Sequence, residues 1–87
     1  MLEGNRAMLT EYIRAAMRRA TYEILEDGTF YGEIPGFQGV YANADTLAAC
    51  SEQLQEVLEG WIVLGLRLGH PLPAVGGVEL AVWQEAA

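Results

Sequence analysis

Along residues 5–18 apolar side chains return every three to four positions: Met8 and Leu9, Tyr12 and Ile13, Ala16 and Met17, then Ala20. Arg6, Glu11, Arg14 and Arg18 fall between them, so the spacing predicts an amphipathic helix within an N-terminal segment 1–19. Asn5 is a candidate N-cap, and Arg18–Arg19 complement the negative end of the helix dipole. The period then changes to two. Ala20, Tyr22 and Ile24 alternate with Thr21 and Glu23, which predicts a strand near 20–26, and Asp27–Gly28 supplies a two-residue turn whose positions tolerate positive φ. A second strand is expected over 29–34, with Phe30, Gly32 and Ile34 on one face and Thr29, Tyr31 and Glu33 on the other. Pro35–Gly36 ends it, and 38–43, with Val40 and Tyr41, reads as a short third strand completing an antiparallel meander.

A long helix follows, capped by Asp45 or Thr46 and marked by Leu47, Cys50, Leu54, Val57, Leu58, Trp61, Leu64, Gly65 and Leu68. Gly69 stops it, with Pro71 and Pro73 beyond. Its first half has a polar side of Ser51, Glu52, Gln55, Glu56 and Glu59, whereas Trp61–Leu66 has almost none. A helix apolar all round is buried all round. At ~1.5 Å per residue it spans about 34 Å, against about 20 Å for a six-residue strand. Its apolar end should therefore be covered by the N-terminal helix, a second subunit, or both. After Gly76–Gly77, Val78–Trp83 alternates again as a fourth strand. The expected class is α+β: an N-terminal helix, then a β-β-β-α-β domain over 20–87 with the long helix packed on one face of the sheet.

Charge narrows the functions available. Twelve acidic residues face five basic ones, all Arg, for a net −7; residues 1–19 carry +2 and residues 20–87 carry −9. Such a surface repels phosphate backbones, so no direct nucleic-acid binding is expected. The N-terminal arginines read either as a solvated face or as a basic handle for an acidic neighbour, such as another copy of the chain. A lone Cys50 excludes an internal disulfide and multi-cysteine zinc sites, which suits a reducing cytoplasmic setting. The longest apolar run, Trp61–Leu66, is far short of a membrane span, and no secretory leader is expected.

Candidate chemistry is thin. His70, the only imidazole, sits between a helix stop and Pro71, where a turn residue is expected. Cys50 lies on the apolar stripe, and the neighbouring Ser51 points elsewhere, so no nucleophilic pair forms. Glu52, Glu56 and Glu59 share a helical face and Glu23 and Glu33 share a strand face, but these are positions of a solvated surface. A metal-dependent nuclease built on Glu23 with Glu52 or Glu56 is the weaker rival, since several carboxylates would have to converge on two metals. Gly28, Gly32, Gly36 and Gly39 form no phosphate loop, and Gly32 marks a bulge or close packing. No catalytic, metal or cofactor-binding residue is assigned. Exposed strand aromatics (Tyr31, Tyr41, Trp83) and an over-apolar helix suggest an interaction protein.

The run from Tyr22 to Thr46, YEILEDGTFYGEIPGFQGVYANADT, followed by LAACSEQLQEVLEGWI, resembles the N-terminal domain of HicB-like antitoxins. The matching positions are Tyr22, Asp27, Gly28, Tyr31, Glu33, Pro35, Gly36, Gly39, Asp45, Thr46, Leu54 and Leu58, within roughly 20–83. The resemblance implies a minimal ribonuclease-H-like fold and an antitoxin of a type II toxin–antitoxin system. Its partner would be a small basic HicA-type toxin that cleaves mRNA, silenced by direct binding. The resemblance does not extend to the DNA-binding domain with which such antitoxins usually continue, and the topology implies no nuclease activity. On this reading Tyr31, Glu33, Pro35 and Tyr41 contact the partner, the alternative for the tyrosines being burial under the N-terminal helix or in an oligomer interface. Tyr12, Ile13, Trp61, Ile62 and Leu66 are the expected contacts of a homo-oligomer, most simply a two-fold dimer. An orphan oligomeric scaffold is the other functional alternative.

Overall fold

The computed structural model describes residues 2–75. Its element order is α1 (Leu2–Arg18), β1 (Thr21–Ile24), β2 (Phe30–Glu33), β3 (Tyr41–Ala44) and α2 (Leu47–Leu68). The strands form one antiparallel sheet in the order β1-β2-β3, as the alternating pattern predicts. The proposed fourth strand at 78–83, and Trp83 with it, lies outside the described residues. Helix α1 starts at Leu2, so Asn5 stands inside it and is not its cap.

The turns explain why the strands are shorter than their apolar patterns. Between β1 and β2, Leu25 N–H donates to Thr29 O (2.8 Å) and Gly28 N–H to Leu25 O (2.9 Å). That is a three-residue loop, a type I turn followed by a bulge, with only Gly28 at positive φ (+87°). The expected two-residue turn is corrected accordingly: Asp27 is not left-handed but accepts from Thr29 N–H (2.9 Å) and Thr29 Oγ1–H (2.6 Å). Between β2 and β3 two turns run in tandem. Phe37 N–H donates to Ile34 O and Val40 N–H to Phe37 O, with Gly36 and Gly39 both at φ +90° in the third position. That left-handed third position makes each a type II turn, the first with Pro35 in the favoured second place. The double reversal occupies 34–40, delaying the third strand to Tyr41, and drops Phe37 into the core at 4% exposure.

Thr46 is the N-cap of α2, its Oγ1 accepting from Ala49 N–H (3.0 Å). At the other end Gly69 is left-handed (φ +73°), and His70 N–H reaches Gly65 O while Gly69 N–H reaches Leu66 O, the paired bonds of a Schellman cap. Helix α2 packs on β3 and β2 and against α1. Cys50, Leu54, Leu58, Ile62 and Gly65 face inward from it, meeting Ile34, Phe37, Val40 and Ala42 from the sheet and its loop, and Tyr12, Ala15 and Ala16 from α1. Each fully buried leucine or isoleucine contributes roughly 1.5–3 kcal/mol relative to exposure.

Two expectations about burial are revised. Strand β1 is exposed along its whole length, Ile24 included, because α2 lies over β2 and β3. The apolar half of α2 is not buried all round within the chain: Ile62 is buried and Trp61 and Leu66 half-buried, but Val63, Leu64 and Leu68 are more than half exposed. Among the described residues no helix is long and apolar enough to cross a membrane.

Candidate functional site: the outer face of the sheet

Strand parity and register together determine what the sheet presents away from α2. The row Tyr22–Gly32–Ala42 lies on the helix side, where a Cβ on Gly32 would meet the Tyr22 ring at 2.8 Å and Cys50 Sγ at 3.1 Å. The same sulfur donates to Ala42 O at 3.6 Å. Gly32 and Ala42 are small because the helix approaches there, so the glycine marks close packing rather than a ladder bulge. The alternate rows, Thr21–Glu33–Tyr41 and Glu23–Tyr31–Asn43, therefore project from the opposite face.

Tyr31 and Tyr41 sit diagonally on that face, stacked with ring centroids 6.2 Å apart and 28° between planes. Tyr31 Oη–H donates to Glu33 Oε1 at 2.9 Å. That bond, with lesser help from partial burial and the neighbouring carboxylates, holds the Tyr31 phenol above its ordinary range, since the carboxylate acceptor favours the protonated form. Asn43 Nδ2 donates to Thr29 Oγ1 and to Phe30 O, both at 2.9 Å. Thr29 in turn donates to Asp27, whose carboxyl is lowered chiefly by that hydroxyl. A chain of side-chain hydrogen bonds thus ties β3 to the first turn across the edge of the face.

All four residues expected to contact a partner are brought together. Glu33, Pro35 and Tyr41 line one groove along the tandem turns, and Tyr31 joins it by bonding Glu33 and stacking on Tyr41. Tyr41 is 58% exposed, Glu33 and Pro35 are exposed and Tyr31 is half-buried. Thr21 and Asn43 share the face and were not singled out from the sequence, and Glu23 stands with them, expected there only as a surface carboxylate or rival metal ligand. Period-two counting from Tyr31 and Tyr41 would have found them.

The residues expected in an oligomer interface divide differently. Tyr12 and Ile62, at 0% and 1% exposure, belong to the core of the chain itself and are corrected to that role. Tyr12 packs edge-on to Phe37 (6.3 Å) and its Oη–H donates to Pro73 O. Trp61 is half-buried against Phe37, at 5.0 Å, and Ile13 and Leu66 are half-buried beside the core.

The remaining candidates are scattered. Glu23 stands on the outer face, whereas Glu52 and Glu56 are exposed on α2 across the sheet, so that carboxylate set does not converge. Among the described residues no group of three His, Cys, Asp or Glu stands close enough to hold a metal ion. Cys50 is fully buried, and His70 is exposed and caps α2 through its backbone. Arg14 and Arg18 edge a groove between α1 and α2, with Ile13 and Met17 in it and Gln55 and Glu59 on its far wall.

Comparison with known proteins places this arrangement. The crystal structure of the protein TTHA0281 from Thermus thermophilus superposes with a TM-score of 0.81 at 40% sequence identity, over 85% of this chain and 93% of that one. No curated protein matches. The sequence model of the UPF0150-like family matches residues 11–73, from the middle of α1 through all three strands and α2 to the segment after the Schellman cap. The chain belongs to the UPF0150-like family, a family related to the HicB-like antitoxins.

Proposed function

We propose that the chain is an antitoxin of the HicB type, acting in the cytoplasm by binding and silencing a small basic HicA-type ribonuclease, with no enzymatic activity and no cofactor of its own. One observation carries this reading: the outer sheet face offers a stacked tyrosine pair bordered by Glu23 and Glu33, on the side away from α2. Family kinship supports the same direction. The architecture is then a minimal ribonuclease-H-like unit used as a binding surface.

The physical logic is charge and shape. A toxin surface built for RNA is positive, and the carboxylates beside the tyrosines cover it while mimicking phosphate. Tyr31 and Tyr41 supply apolar contact at the centre, and the carboxylates speed and select the encounter. Titrating the chain with the product of an adjacent basic reading frame, at low and high salt, tests this. Binding is expected to weaken as salt rises, RNA cleavage to stop in the complex, and Tyr41→Ala to cost about 1–2 kcal/mol of affinity. If no complex forms at either salt, or if cleavage continues within it, the antitoxin reading fails.

A second reading, an oligomeric scaffold, is favoured by the exposed Leu64 and Leu68 of α2. Self-association is part of our proposal in either case, most simply as a two-fold dimer.

A further inference from the structure

The flank of α2 that faces neither sheet nor α1 carries an apolar line with a regular step. Val57, Trp61, Leu64 and Leu68 follow one another at intervals of four, three and four residues, the spacing of a helix–helix seam. Val57, Leu64 and Leu68 are 38%, 56% and 57% exposed, and Trp61 is half-buried. Helix α1 cannot cover them from where it lies. It packs along the other side of α2, where its Ile13 and Met17 share a groove with Gln55 and Glu59, about half a turn around the helix from Leu64.

A second observation sits within the same flank. Gly60 is in the middle of α2, exposed, with nothing within 4 Å of the place a Cβ would occupy and no positive φ to require a glycine. Glycine is among the weakest helix formers, and nothing among the described residues calls for one there. Three residues after Val57 and four before Leu64, it is a low point on the helix surface where another backbone can approach closely.

We propose that this flank of α2 is the dimer surface, and that its occupant is the same flank of a second copy of this chain, running antiparallel. The inference rests on the self-association proposed above and names its surface. A two-fold antiparallel pairing sets Val57 against the partner's Leu68 and Trp61 against the partner's Leu64. It also lays Arg67 over the partner's Gly60, one helical turn from the partner's Glu56. Arg67 is the only Lys or Arg after position 19, and the pairing gives it an acidic neighbour twice over. A basic toxin would leave Arg67 facing like charge, whereas a second copy supplies Glu56 to it.

Sedimentation of the full chain at micromolar concentration, with circular dichroism as a check on folding, tests the assignment. The wild type is expected at twice 9.5 kDa. Leu64→Glu, at an exposed position, is expected to sediment as a monomer with wild-type helix content by circular dichroism and a melting temperature that no longer depends on protein concentration. Arg67→Glu and Glu56→Arg are each expected to weaken the dimer severalfold, and the double reversal to restore it towards wild type. A dimer indifferent to Leu64→Glu overturns the surface while leaving self-association standing. A wild-type monomer overturns both, and so does a monomer whose toxin binding is lost with Leu64→Glu, which would give the flank to the toxin instead. Failure of the double reversal to recover overturns the antiparallel register.

Discussion

Tyrosine at position 12 buries a whole ring yet keeps a use for its hydroxyl, which donates to the Pro73 carbonyl 61 residues away. Burial pushes the phenol from 10.0 up to about 12, because the ionised form would lose its hydration. A raised value in the folded chain means that the stabilisation is complete below the unfolded value and is lost as pH climbs from 10.0 towards about 12. Urea melts at rising pH are expected to show that loss. Tyr12→Phe should flatten it while costing about 1 kcal/mol at neutral pH for the unpaired carbonyl; an unflattened profile would assign the loss to other groups. Gly28 makes a cleaner case, since nothing lies within 4 Å of the place a Cβ would occupy and only its φ of +87° is at stake. Gly28→Val should therefore cost roughly 1 kcal/mol or more through backbone strain alone. An unchanged melting temperature would mean the loop can re-form without a left-handed residue.

Among the elements, α2 was legible almost to the residue. Its stop signals (Gly69, then two prolines) and its cap at Thr46 are chemical features that act locally. The first three strands were legible in order and face but not in length. A two-residue reading of Asp27–Gly28 and a single break at Pro35–Gly36 both underestimated how much chain the turns consume, because the bulge and the second type II turn depend on backbone bonds that no single residue type announces. Gly32 was legible as an oddity, and its reason came from two other elements. Gly32→Ala must displace the half-exposed Tyr22 ring, which can swing aside, and press on the buried Cys50, which cannot. A loss of about 1–2 kcal/mol is expected in a chemical melt. Gly32→Ala with Cys50→Ala should recover part of it, and equal losses in both backgrounds would place the strain at Tyr22.

On the scale of the molecule, the sheet and α2 stand between the N-terminal arginines and the carboxylates of the outer face. The basic tail of α1 lies against one flank of α2, and the carboxylates Glu23 and Glu33 stand on the far side of the sheet. Period-two parity alone puts Tyr31 and Glu33 on one face; that Tyr41 joins them depends on the β2–β3 register, which the tandem turns set. Which apolar residues remain outside does not follow from that parity. Ile62 lies on the inward face of α2 and Leu64 and Leu68 do not, and Tyr12 is buried where α1 meets Phe37 and Pro73. The salt sensitivity expected of toxin binding belongs to this scale, since it reflects the field of the whole acidic surface rather than one pair.

The bond from Tyr12 to Pro73 also has a bearing on how the fold opens. It joins the interior of the first helix to the stretch that follows the last one, so the segments around Tyr12 and Pro73 are held by one shared contact. Neither can fray far without exposing the same buried ring. Backbone amides in 12–18 and in the neighbourhood of Gly69 and His70 would then exchange with solvent through a common opening, slower than that of exposed β1. The sheet edge at Thr21–Ile24 then yields before the two segments that Tyr12 and Pro73 join.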